Sequence, residues 1–468
     1  MDGKKSTFAL FFGNRGFFPA SLQVGARKEL VAALKKLGHK TLTLDARATG
    51  HGAVETPREG EIYAEFLRQN RGKFDGVILC LPNFGDETGA VAALKDCGVP
   101  ILIQAYPDEL DKMAPELRRD AFCGKFSIMD VFRQYGLPFT ALRPHTVHPR
   151  SDSFAGNVEH FDRLCRVVGG MKSMVVGAIG ARTTAFKTVR IDELTLQRHG
   201  ITMETFDLVG VFAQLKALKS TDRKVKAKAQ RLRKYSSWGA VPKEAFDNLA
   251  KLGVVLDTMI KAHDLDAIAL RCWLEMQSEL GISPCVLLSE LNERGVPAAC
   301  EVDVGSAVTM RALSLASANT PACLDWNNNY GEESRKCILF HCGPVPLSMM
   351  TAKGRICEHA ILSNAVGAGC SYGCNVGRIK PAPMTFGNLI TEGGAMKFYL
   401  GQGQFTNDPI PEDFFGCAGV AEIPGLQCAL QAIGYMGHRH HVAVTPGHVV
   451  GPVREAFEKY LGYEVTVV

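Results

Sequence analysis

The sequence has no apolar run long enough to cross a membrane. In the 468-residue sequence, no apolar run approaches the roughly 18 consecutive residues that a membrane span needs. The first apolar run, residues 8–12, follows two lysines but is shorter than the core of a secretory signal, and no cleavage-like site follows it. We therefore expect neither a membrane anchor nor an export signal, and we predict a cytoplasmic location.

Cysteine is too sparse for a fold that depends on disulfides. Fifteen cysteines in 468 residues are far below the density of small secreted scaffolds. Without an export signal, we expect these thiols to be reduced. Cys370 and Cys374 have no second cysteine pair nearby, so the spacing does not predict a zinc site.

The excess of one charge is too small to indicate a partner. The formal net charge is +5, from 53 basic and 48 acidic residues, and the 46% hydrophobic content excludes a mostly disordered chain. Residues 216–235 carry nine Lys or Arg and one Asp, but no interleaved aromatics and no known nucleic-acid module. We predict a solvated helix face there. Neither nucleic acid nor a membrane is expected as a partner.

What the sequence does contain is an alternation of strands and helices in its first part. Between residues 6 and 150, short apolar runs predict strands, and amphipathic patterns between them predict helices. The predicted strands span 6–12, 40–44, 76–81 and 99–104, and the predicted helices 20–37, 61–69 and 88–96. This rhythm indicates a parallel sheet with helices on both faces, whose ligands bind beyond the carboxyl ends of the strands. The loops 13–19 and 81–87 occupy such places.

A second unit of this kind is followed by a region of different amino-acid composition. Strands are predicted at 173–179, 201–208, 267–270 and 298–304. After about residue 316, Gly and Pro become frequent and turns separate the strands 337–341, 384–390 and 441–445. The predicted fold class is α/β, with two doubly wound, Rossmann-like parallel-sheet domains at 1–171 and 172–315 and a β-rich C-terminal domain at 316–468.

Three carboxylates stand beside apolar runs of predicted strands. A strand over 298–304 would place Glu301 and Asp303 on the same face, where two carboxylates are costly unless they are solvated, paired or metal-bound. Asp325 follows another apolar run. Alone, each of these residues is more often a turn former or a helix cap than a functional group.

Histidines occupy similar positions. His341 ends the predicted strand 337–341, while His440 and His441 begin the strand 441–445. A single histidine at a strand end is usually an ordinary core or surface residue. Two carboxylates and two imidazoles together would suit a divalent metal such as Mn²⁺, Co²⁺ or Zn²⁺. Because these residues lie far apart in the chain, the pattern alone does not decide between the two interpretations.

Eight short segments, taken in order, match a known family. They are 13–19 (GNRGFFP), 81–87 (LPNFGDE), 177–182 (GAIGAR), 186–190 (FKTVR), 271–273 (RCW), 299–304 (ACEVDV), 341–344 (HCGP) and 440–443 (HHVA). Through most of its length the chain resembles the L-fucose isomerase / L-arabinose isomerase family, especially the shorter fucose-isomerase-related proteins. No single segment is decisive, but their number and order are specific.

The resemblance implies a fold, an activity and a cofactor. The family has two α/β domains and a β-rich C-terminal domain, and its members are metal-dependent ketol isomerases that usually use Mn²⁺, with Co²⁺ as another possible metal. An aldose and its ketose are interconverted through an enediolate. The resemblance also implies a homo-oligomer, a trimer or a hexamer, with active sites near the subunit contacts.

The resemblance also assigns roles to single residues. Glu301 is similar to the first metal-binding glutamate of the family, Asp325 to the second acidic ligand of the fucose enzymes, and His441 to the C-terminal ligand. His341 is similar to an additional ligand of the arabinose enzymes, and fucose isomerases manage without it. Glu301 and Asp325 are further implied to move the proton between C1 and C2 of the sugar.

Other residues are expected to bind the sugar. Arg15, Asn83 and Glu87 are expected to contact it, reaching the site of a neighbouring subunit. For Arg15, a structural ion pair is the competing interpretation. Three more substrate contacts are predicted at Arg182, Trp326 and His440.

Two alternatives remain open at the level of the sequence. The same chemistry could act on sulfoquinovose, a hexose with an anionic sulfonate at C6, which would need cationic groups at the far end of the sugar. The candidates for these groups are Arg15, Arg182, Lys187, Arg378, Lys380 and His448. Many relatives have an acidic residue near the position of His448, and this difference puts the substrate in question. The chain could instead be a non-catalytic sugar-binding or regulatory protein on the same fold.

Overall fold

The protein forms two compact units in the computed structural model, which describes residues 4–468. The first unit contains residues 4–169 together with Glu455–Gly462, and the second contains Gly170–Arg454 together with Tyr463–Val468. A short C-terminal segment therefore belongs to the N-terminal unit, which the sequence did not indicate. The three-domain division with borders near residues 172 and 316 stays a prediction.

The first unit is built on a parallel sheet, as predicted. The four strands lie in the order β2-β1-β3-β4, and every neighbouring pair is parallel. The elements are β1 (Thr7–Phe12), α1 (Ala20–Lys36), β2 (Lys40–Thr43), α2 (Pro57–Gln69), β3 (Gly76–Leu81), α3 (Glu87–Leu94), β4 (Ile101–Ala105), α4 (Ala121–Gln134) and α5 (Asp152–Met171). Helix α2 starts at Pro57, and a capping box formed by Thr56 and Glu59 satisfies backbone N–H groups at its start.

The second unit begins with another parallel sheet of four strands, in the order β6-β5-β7-β8. Its elements are β5 (Val175–Ile179), α6 (Glu193–Arg198), β6 (Thr202–Phe206), α7 (Leu208–Ala217), α8 (Arg223–Tyr235), α9 (Lys243–Ala262), β7 (Ala267–Leu270), α10 (Glu275–Leu280), α11 (Cys285–Glu293), β8 (Ala298–Cys300) and α12 (Val304–Ser317). Both N-terminal sheets are thus parallel, while their doubly wound, Rossmann-like detail stays a prediction.

The remainder of the second unit is rich in strands and contains a barrel, which confirms the β-rich prediction. The nine strands follow the order β11-β12-β15-β10-β9-β16-β13-β14-β17, and an additional pairing of β14 with β15 closes six of them on themselves. The elements are β9 (Ala322–Asn329), β10 (Lys336–His341), β11 (Arg355–Glu358), α13 (Ser363–Val366), β12 (Tyr372–Arg378), β13 (Ala382–Glu392), β14 (Ala395–Phe405), β15 (Cys417–Glu422), α14 (Leu426–Tyr435), β16 (His441–Pro446), α15 (Val450–Glu455) and β17 (Glu464–Val467).

The basic stretch at 216–235 includes the predicted helix, α8. Most of its cationic side chains are exposed, but Lys228 is buried and forms ion pairs with Asp257 at 2.6 Å and Glu290 at 3.2 Å. One lysine of the run is therefore paired in the interior of the second unit and does not belong to the solvated face. Across residues 4–468, none of the helices combines the length and the apolarity that a membrane crossing requires.

Candidate active site

Three of the predicted site residues lie together on neighbouring strands of the barrel. Asp325 on β9 and His441 on β16 are direct cross-strand partners, and β10, on the other side of β9, ends at His341. Nε2 of His441 lies 3.4 Å from Oδ1 of Asp325, and the two imidazole rings are 5.9 Å apart between centroids. Pairing of antiparallel strands thus brings together residues that are far apart in the sequence.

Glu301 reaches the same place from a tight turn. The sequence predicted a strand through residue 304 with Glu301 and Asp303 on one face, but β8 ends at Cys300. Glu301 and Val302 both adopt left-handed backbone conformations, with φ of 60° and 58°, which are rare for residues other than glycine and strained for a β-branched one. The turn brings Oε2 of Glu301 within 2.8 Å of Nε2 of His441.

Asp303 contacts the opposite nitrogen of the same imidazole. Its Oδ2 lies 2.7 Å from Nδ1 of His441, so this nitrogen donates its proton to the carboxylate, and when the ring is neutral Nε2 has the lone pair. That lone pair points to Glu301 and Asp325. The prediction of two carboxylates on one strand face was therefore wrong, since Glu301 and Asp303 lie on either side of the ring.

Asp303 is itself held by a saturated set of donors. It accepts from the backbone N–H of Ser306 at 3.0 Å, from the Ser306 hydroxyl at 2.6 Å, and from the guanidinium of Arg439. The side chains of Asp303 and Arg439 are 0% and 1% exposed. Burial alone would raise the pKa of Asp303, but Arg439 and His441 outweigh it and keep the pKa well below its usual range.

His341 has the opposite hydrogen-bond pattern to His441. Its Nδ1 accepts the backbone N–H of Cys342 at 2.9 Å, so a neutral ring carries its proton on Nε2. Nε2 is buried and has no hydrogen-bond partner in the part of the chain that the structure describes. Burial lowers the pKa of His341, but Cys342 and Asp325 outweigh this and raise it to about 9.

Two aromatic side chains border the carboxylate and the histidines. The indole N–H of Trp273 donates to Oε1 of Glu301 at 3.1 Å and fixes the orientation of that carboxylate. The ring of Phe186 lies 5.8 Å from that of Trp273, 5.3 Å from that of His440 and 5.7 Å from that of His441. The loop after β5 therefore reaches the site.

A cavity of about 320 Å³ opens onto these groups, within the size range of small-molecule sites. No lysine or arginine is among its lining residues within 4–468. The lining includes Trp273, Glu301, Asp325, His341, Cys342 and Ile361.

The donor set fits a divalent cation. Glu301, His341 and His441 offer ligand atoms within 4.8 Å of one another, as do Asp325, His440 and His441. Oδ1 of Asp325 is buried without a hydrogen-bond partner among residues 4–468, which is unfavourable unless a cation or a ligand meets it. Burial raises the pKa of Asp325, whereas His441 holds that of Glu301 below its usual range although burial opposes it.

Comparison with known proteins identifies the family. The model of the fucose/sulfoquinovose isomerase N-terminal domain matches residues 9–172, and that of the L-fucose isomerase C-terminal domain matches residues 339–468. Together the two models cover more than half of the chain. The chain belongs to the fucose isomerase-related family. It is therefore an aldose–ketose isomerase, which confirms the predicted class of enzyme.

Curated relatives agree with this family. A sulfoquinovose isomerase of Priestia megaterium is 23% identical over 393 residues, covering 82% of this chain and 84% of the relative. Sulfoquinovose isomerases of Alkalicoccus urumqiensis, at 23% identity over 59% of this chain and 61% of the relative, and Clostridium sp., at 25% over 48% and 50%, also match. A glucose-galactose binding protein structure from Geobacillus stearothermophilus aligns at 14% identity, covering 67% of this chain and 92% of that one, but its TM-score of 0.17 is too low to support an argument.

The sugar contacts expected in the first unit of this isomerase form a cluster of their own. Loops after the adjacent strands β1 and β3 meet, and Nδ2 of Asn83 donates to Oδ1 of Asn14 at 2.8 Å. The guanidinium of Arg15 pairs with Glu87 at 2.5 Å and donates to the carbonyl of Gly85 at 2.7 Å. The ion pair that competed with sugar binding at Arg15 is thus present, and its partner is another predicted sugar contact.

The three predicted contacts in the second unit have different surroundings. His440 is exposed beside the site, with Nε2 at 3.8 Å from Asp325. Arg182 is exposed in the loop that carries Phe186. Trp326 follows Asp325 on β9 and faces the other side of the strand, where its indole N–H donates to Tyr399 at 3.2 Å.

The residues considered for contact with an anionic group also have different surroundings. Arg378 donates to the backbone carbonyls of Pro411 and Phe414. His448 lies two residues beyond the end of β16, with Nε2 3.2 Å from the carbonyl oxygen of Gly403, and Lys380 is exposed. Arg182 and Lys187 are exposed near Phe186 and form no ion pair with a residue in the range 4–468.

Sequence reasoning missed the residues that support the predicted ligands. Asp303 was recognised only as a second carboxylate, and no role was predicted for Arg439 or Trp273. The two-residue spacing of Glu301 and Asp303 and the arginine two residues before His441 were the available signals. They gain meaning only when the turn at Glu301 places both carboxylates on one imidazole.

Proposed function

We propose that this isomerase is Mn²⁺-dependent and converts sulfoquinovose to its ketose, 6-deoxy-6-sulfofructose. The names of the curated relatives support the substrate. The single observation that carries the chemistry is the convergence of Glu301 and Asp325 on Nε2 of His441, with Asp303 on the other side of the ring. Carboxylate oxygens with one imidazole suit Mn²⁺, and Co²⁺ would be the next choice.

The proposed cation ligands are Glu301, Asp325 and His441. When bound there, a divalent cation would supply the positive charge that stabilises the negative oxygens of an enediolate. Asp303 keeps the proton of His441 on Nδ1, so that Nε2 is ready to act as a ligand. Trp273 holds Glu301 through a hydrogen bond at 3.1 Å.

Proton transfer is assigned to the same carboxylates. Isomerisation removes a proton from C2 of the aldose and returns one to C1 of the ketose. Glu301 and Asp325 both line the cavity, so each is in a position to accept or return a proton at these carbons. Exchange of the C2 hydrogen with solvent in Glu301→Gln tests whether Glu301 takes part in this transfer.

His341 is assigned a different role from the one implied by the arabinose enzymes. Because its Nδ1 accepts a backbone N–H, its neutral form has an N–H rather than a lone pair at Nε2. Although His341 offers one of the ligand atoms that are within 4.8 Å of one another, in this tautomer its Nε2 donates a hydrogen bond and has no lone pair for a metal. We propose that it donates to a sugar oxygen, which leaves a three-residue ligand set of the fucose type.

Recognition of the sulfonate is assigned to the loop after β5. The described cavity wall offers no lysine or arginine, so an anionic group must find its cations at the rim. Arg182 and Lys187 lie on either side of Phe186 in the sequence, and that ring contacts His440 and His441. Both side chains are exposed, and a guanidinium and an ammonium are suited to an oxyanion.

A homo-oligomer, trimeric or hexameric, is also part of the proposal. The family resemblance supports it, as does the polar cluster formed by Arg15, Asn83 and Glu87. In such an assembly these residues would contact the sugar in the site of a neighbouring subunit. Light scattering of the purified protein tests this part.

The decisive experiment compares two sugars that differ only at C6. With Mn²⁺ present, kcat/KM is measured for sulfoquinovose and for 6-deoxyglucose, its neutral counterpart, together with L-fucose and L-arabinose. We expect a preference for sulfoquinovose of about ten-fold or more over 6-deoxyglucose, because a charged hydrogen bond is lost in the neutral sugar. Equal values, or a preference for L-fucose or L-arabinose, would contradict the substrate. The second of these results would favour the neutral-aldose alternative, which the absence of Lys and Arg from the described cavity lining supports.

A further inference from the structure

Five buried cysteines meet beside the candidate active site, and we name them the thiol cluster. They are Cys272, Cys285, Cys300, Cys342 and Cys374. Cys342 is at the centre, since its thiol contacts those of Cys285, Cys300 and Cys374, and Cys300 also contacts Cys272. Sγ of Cys285 lies 3.5 Å from Sγ of Cys342 and 3.9 Å from Sγ of Cys374.

Two contacting members of this cluster, Cys285 and Cys342, border the cavity that Glu301 and Asp325 line. Cys285, the first residue of α11, and Cys342, the residue after β10, both line it. The two chain segments pack closely. A Cβ added to Gly343, the residue after Cys342, would lie only 3.2 Å from Cβ of Cys285. A small molecule that enters the cavity can therefore reach these thiols, although the two residues are only 1% and 9% exposed.

We propose that Cys285 and Cys342 are an oxidation site, at which a small peroxide entering the sugar cavity produces a reversible disulfide that turns the isomerase off. A disulfide has an S–S length of about 2.05 Å, so the two sulfur atoms must approach by roughly 1.5 Å. This shift is within reach of side-chain rotation combined with a small backbone movement. Bulky oxidants are excluded by burial, whereas hydrogen peroxide is small enough for a cavity of about 320 Å³.

The reaction takes two steps and balances with hydrogen peroxide as the oxidant. The deprotonated sulfur of one cysteine attacks a peroxide oxygen, the O–O bond breaks, and the departing hydroxide takes up the released proton to form water. The second cysteine then displaces hydroxide from the sulfenic sulfur, forming the S–S bond and a second water. Two thiols lose two electrons and two protons, and one peroxide becomes two waters. A dithiol such as dithiothreitol reverses the change by thiol–disulfide exchange.

Loss of activity follows from the position of Cys342. Its backbone N–H donates to Nδ1 of His341 at 2.9 Å, and its sulfur lies 3.2 Å from the same nitrogen. Drawing Cys342 toward Cys285 moves the donor that orients His341 and narrows the cavity. We expect a fall in activity of about ten-fold or more, because a displaced His341 no longer donates its hydrogen bond to the sugar as proposed above.

The test uses the full-length protein in a background where the two exposed cysteines are replaced, Cys123→Ser and Cys428→Ser. The protein is treated with hydrogen peroxide, and peptide mass spectrometry identifies any cross-link, while activity is measured before and after treatment. We expect a linked Cys285–Cys342 peptide that accumulates as activity falls, and dithiothreitol should reverse both. Detection by mass does not depend on the substrate, so a failure of this inference is distinct from a failure of the proposed function.

Two further variants decide the assignment. Cys285→Ala should form no such peptide and should keep its own untreated activity after peroxide. Cys337→Ala, which replaces a buried cysteine outside the thiol cluster, should respond as the background does. The inference is overturned if no Cys285–Cys342 peptide forms, if Cys342 pairs instead with Cys300 or Cys374, or if Cys285→Ala loses activity as the background protein does.

Discussion

The carboxylate of Asp303 lies 2.7 Å from Nδ1 of His441, on the nitrogen opposite the one that meets Glu301. This contact selects one tautomer of the imidazole and aligns the ring, which is how outer carboxylates support histidine ligands in metal sites. The pair is buried and further held by Arg439. A residue outside the cavity lining therefore orients the imidazole of His441.

Replacement of Asp303 by Asn tests this dependence. An amide presents its NH₂ or its weaker oxygen to His441 and no longer balances the charge of Arg439, so we expect the affinity for Mn²⁺ to fall by about 10–100-fold. The affinity is measured by electron paramagnetic resonance of unbound Mn²⁺. Thermal denaturation is recorded in parallel, because breaking a buried ion pair costs about 3–5 kcal/mol of stability.

A matched control separates metal binding from stability. Glu290 is also buried, 2% exposed, and pairs with Lys228 at 3.2 Å, away from the site. Glu290→Gln should lower the denaturation temperature and leave Mn²⁺ affinity unchanged. An equal loss of affinity in both variants would mean that Asp303 acts only through general stability.

The two buried histidines should respond differently to substitution. When the rings are neutral, Nε2 of His441 has a lone pair, whereas Nε2 of His341 has a proton. We expect His441→Ala to weaken Mn²⁺ binding on the order of 100-fold. We expect His341→Gln, whose amide can still donate, to retain Mn²⁺ affinity while kcat falls. A comparable loss of Mn²⁺ affinity in the two variants would show that His341 is a ligand after all.

Trp273 is expected to act through Glu301. Trp273→Phe keeps the ring but removes the N–H that donates to Oε1 at 3.1 Å. Since a hydrogen bond to a charged group contributes about 1.5–3 kcal/mol, kcat/KM should fall by about 10–100-fold, with little change in thermal stability. Trp238→Phe is the matched control, because that indole donates to the carbonyl of Leu232 at 2.7 Å, outside the cavity lining. Equal effects of the two substitutions on kcat/KM would show that the hydrogen bond from Trp273 to Glu301 does not contribute to catalysis.

Substrate charge should be recognised by the loop after β5. Arg182→Ala and Lys187→Ala are each expected to raise KM for sulfoquinovose by about ten-fold and to leave KM for 6-deoxyglucose unchanged. Lys380→Ala replaces another exposed cation and should alter neither value. If Lys380→Ala is the variant that loses the preference for sulfoquinovose over 6-deoxyglucose, the sulfonate is not bound by the loop after β5.

Much of the fold could be predicted because its local signals are strong. The strands Gly76–Leu81 and Ala267–Leu270 have the bounds that their apolar runs predicted, since short buried strands of parallel sheets are nearly continuous in apolar residues. Pairing of β14 with β15 could not be predicted in the same way. It depends on contacts between distant strands, which leave no periodic trace in either segment.

The candidate site shows the same division between local and distant information. Asp325, His341 and His441 stood out because each lies where an apolar run of the sequence begins or ends, although β9 continues past Asp325 to Asn329. The relation of Glu301 to Asp303 was mispredicted, because alternation along a strand was assumed where two left-handed residues turn the chain. Local propensity disfavours that turn, especially at Val302, and only the surrounding packing can impose it.

Exchange of the C2 hydrogen of sulfoquinovose with deuterated solvent tests the central claim most directly. The protein is freed of metal with a chelator, and exchange is followed by nuclear magnetic resonance with and without added Mn²⁺, for the unaltered chain and for Glu301→Gln. We predict no exchange without metal, exchange together with ketose formation when Mn²⁺ is returned, and a loss of both in the folded Glu301→Gln protein. Exchange that continues in the metal-free protein, or that persists in Glu301→Gln, would contradict the account.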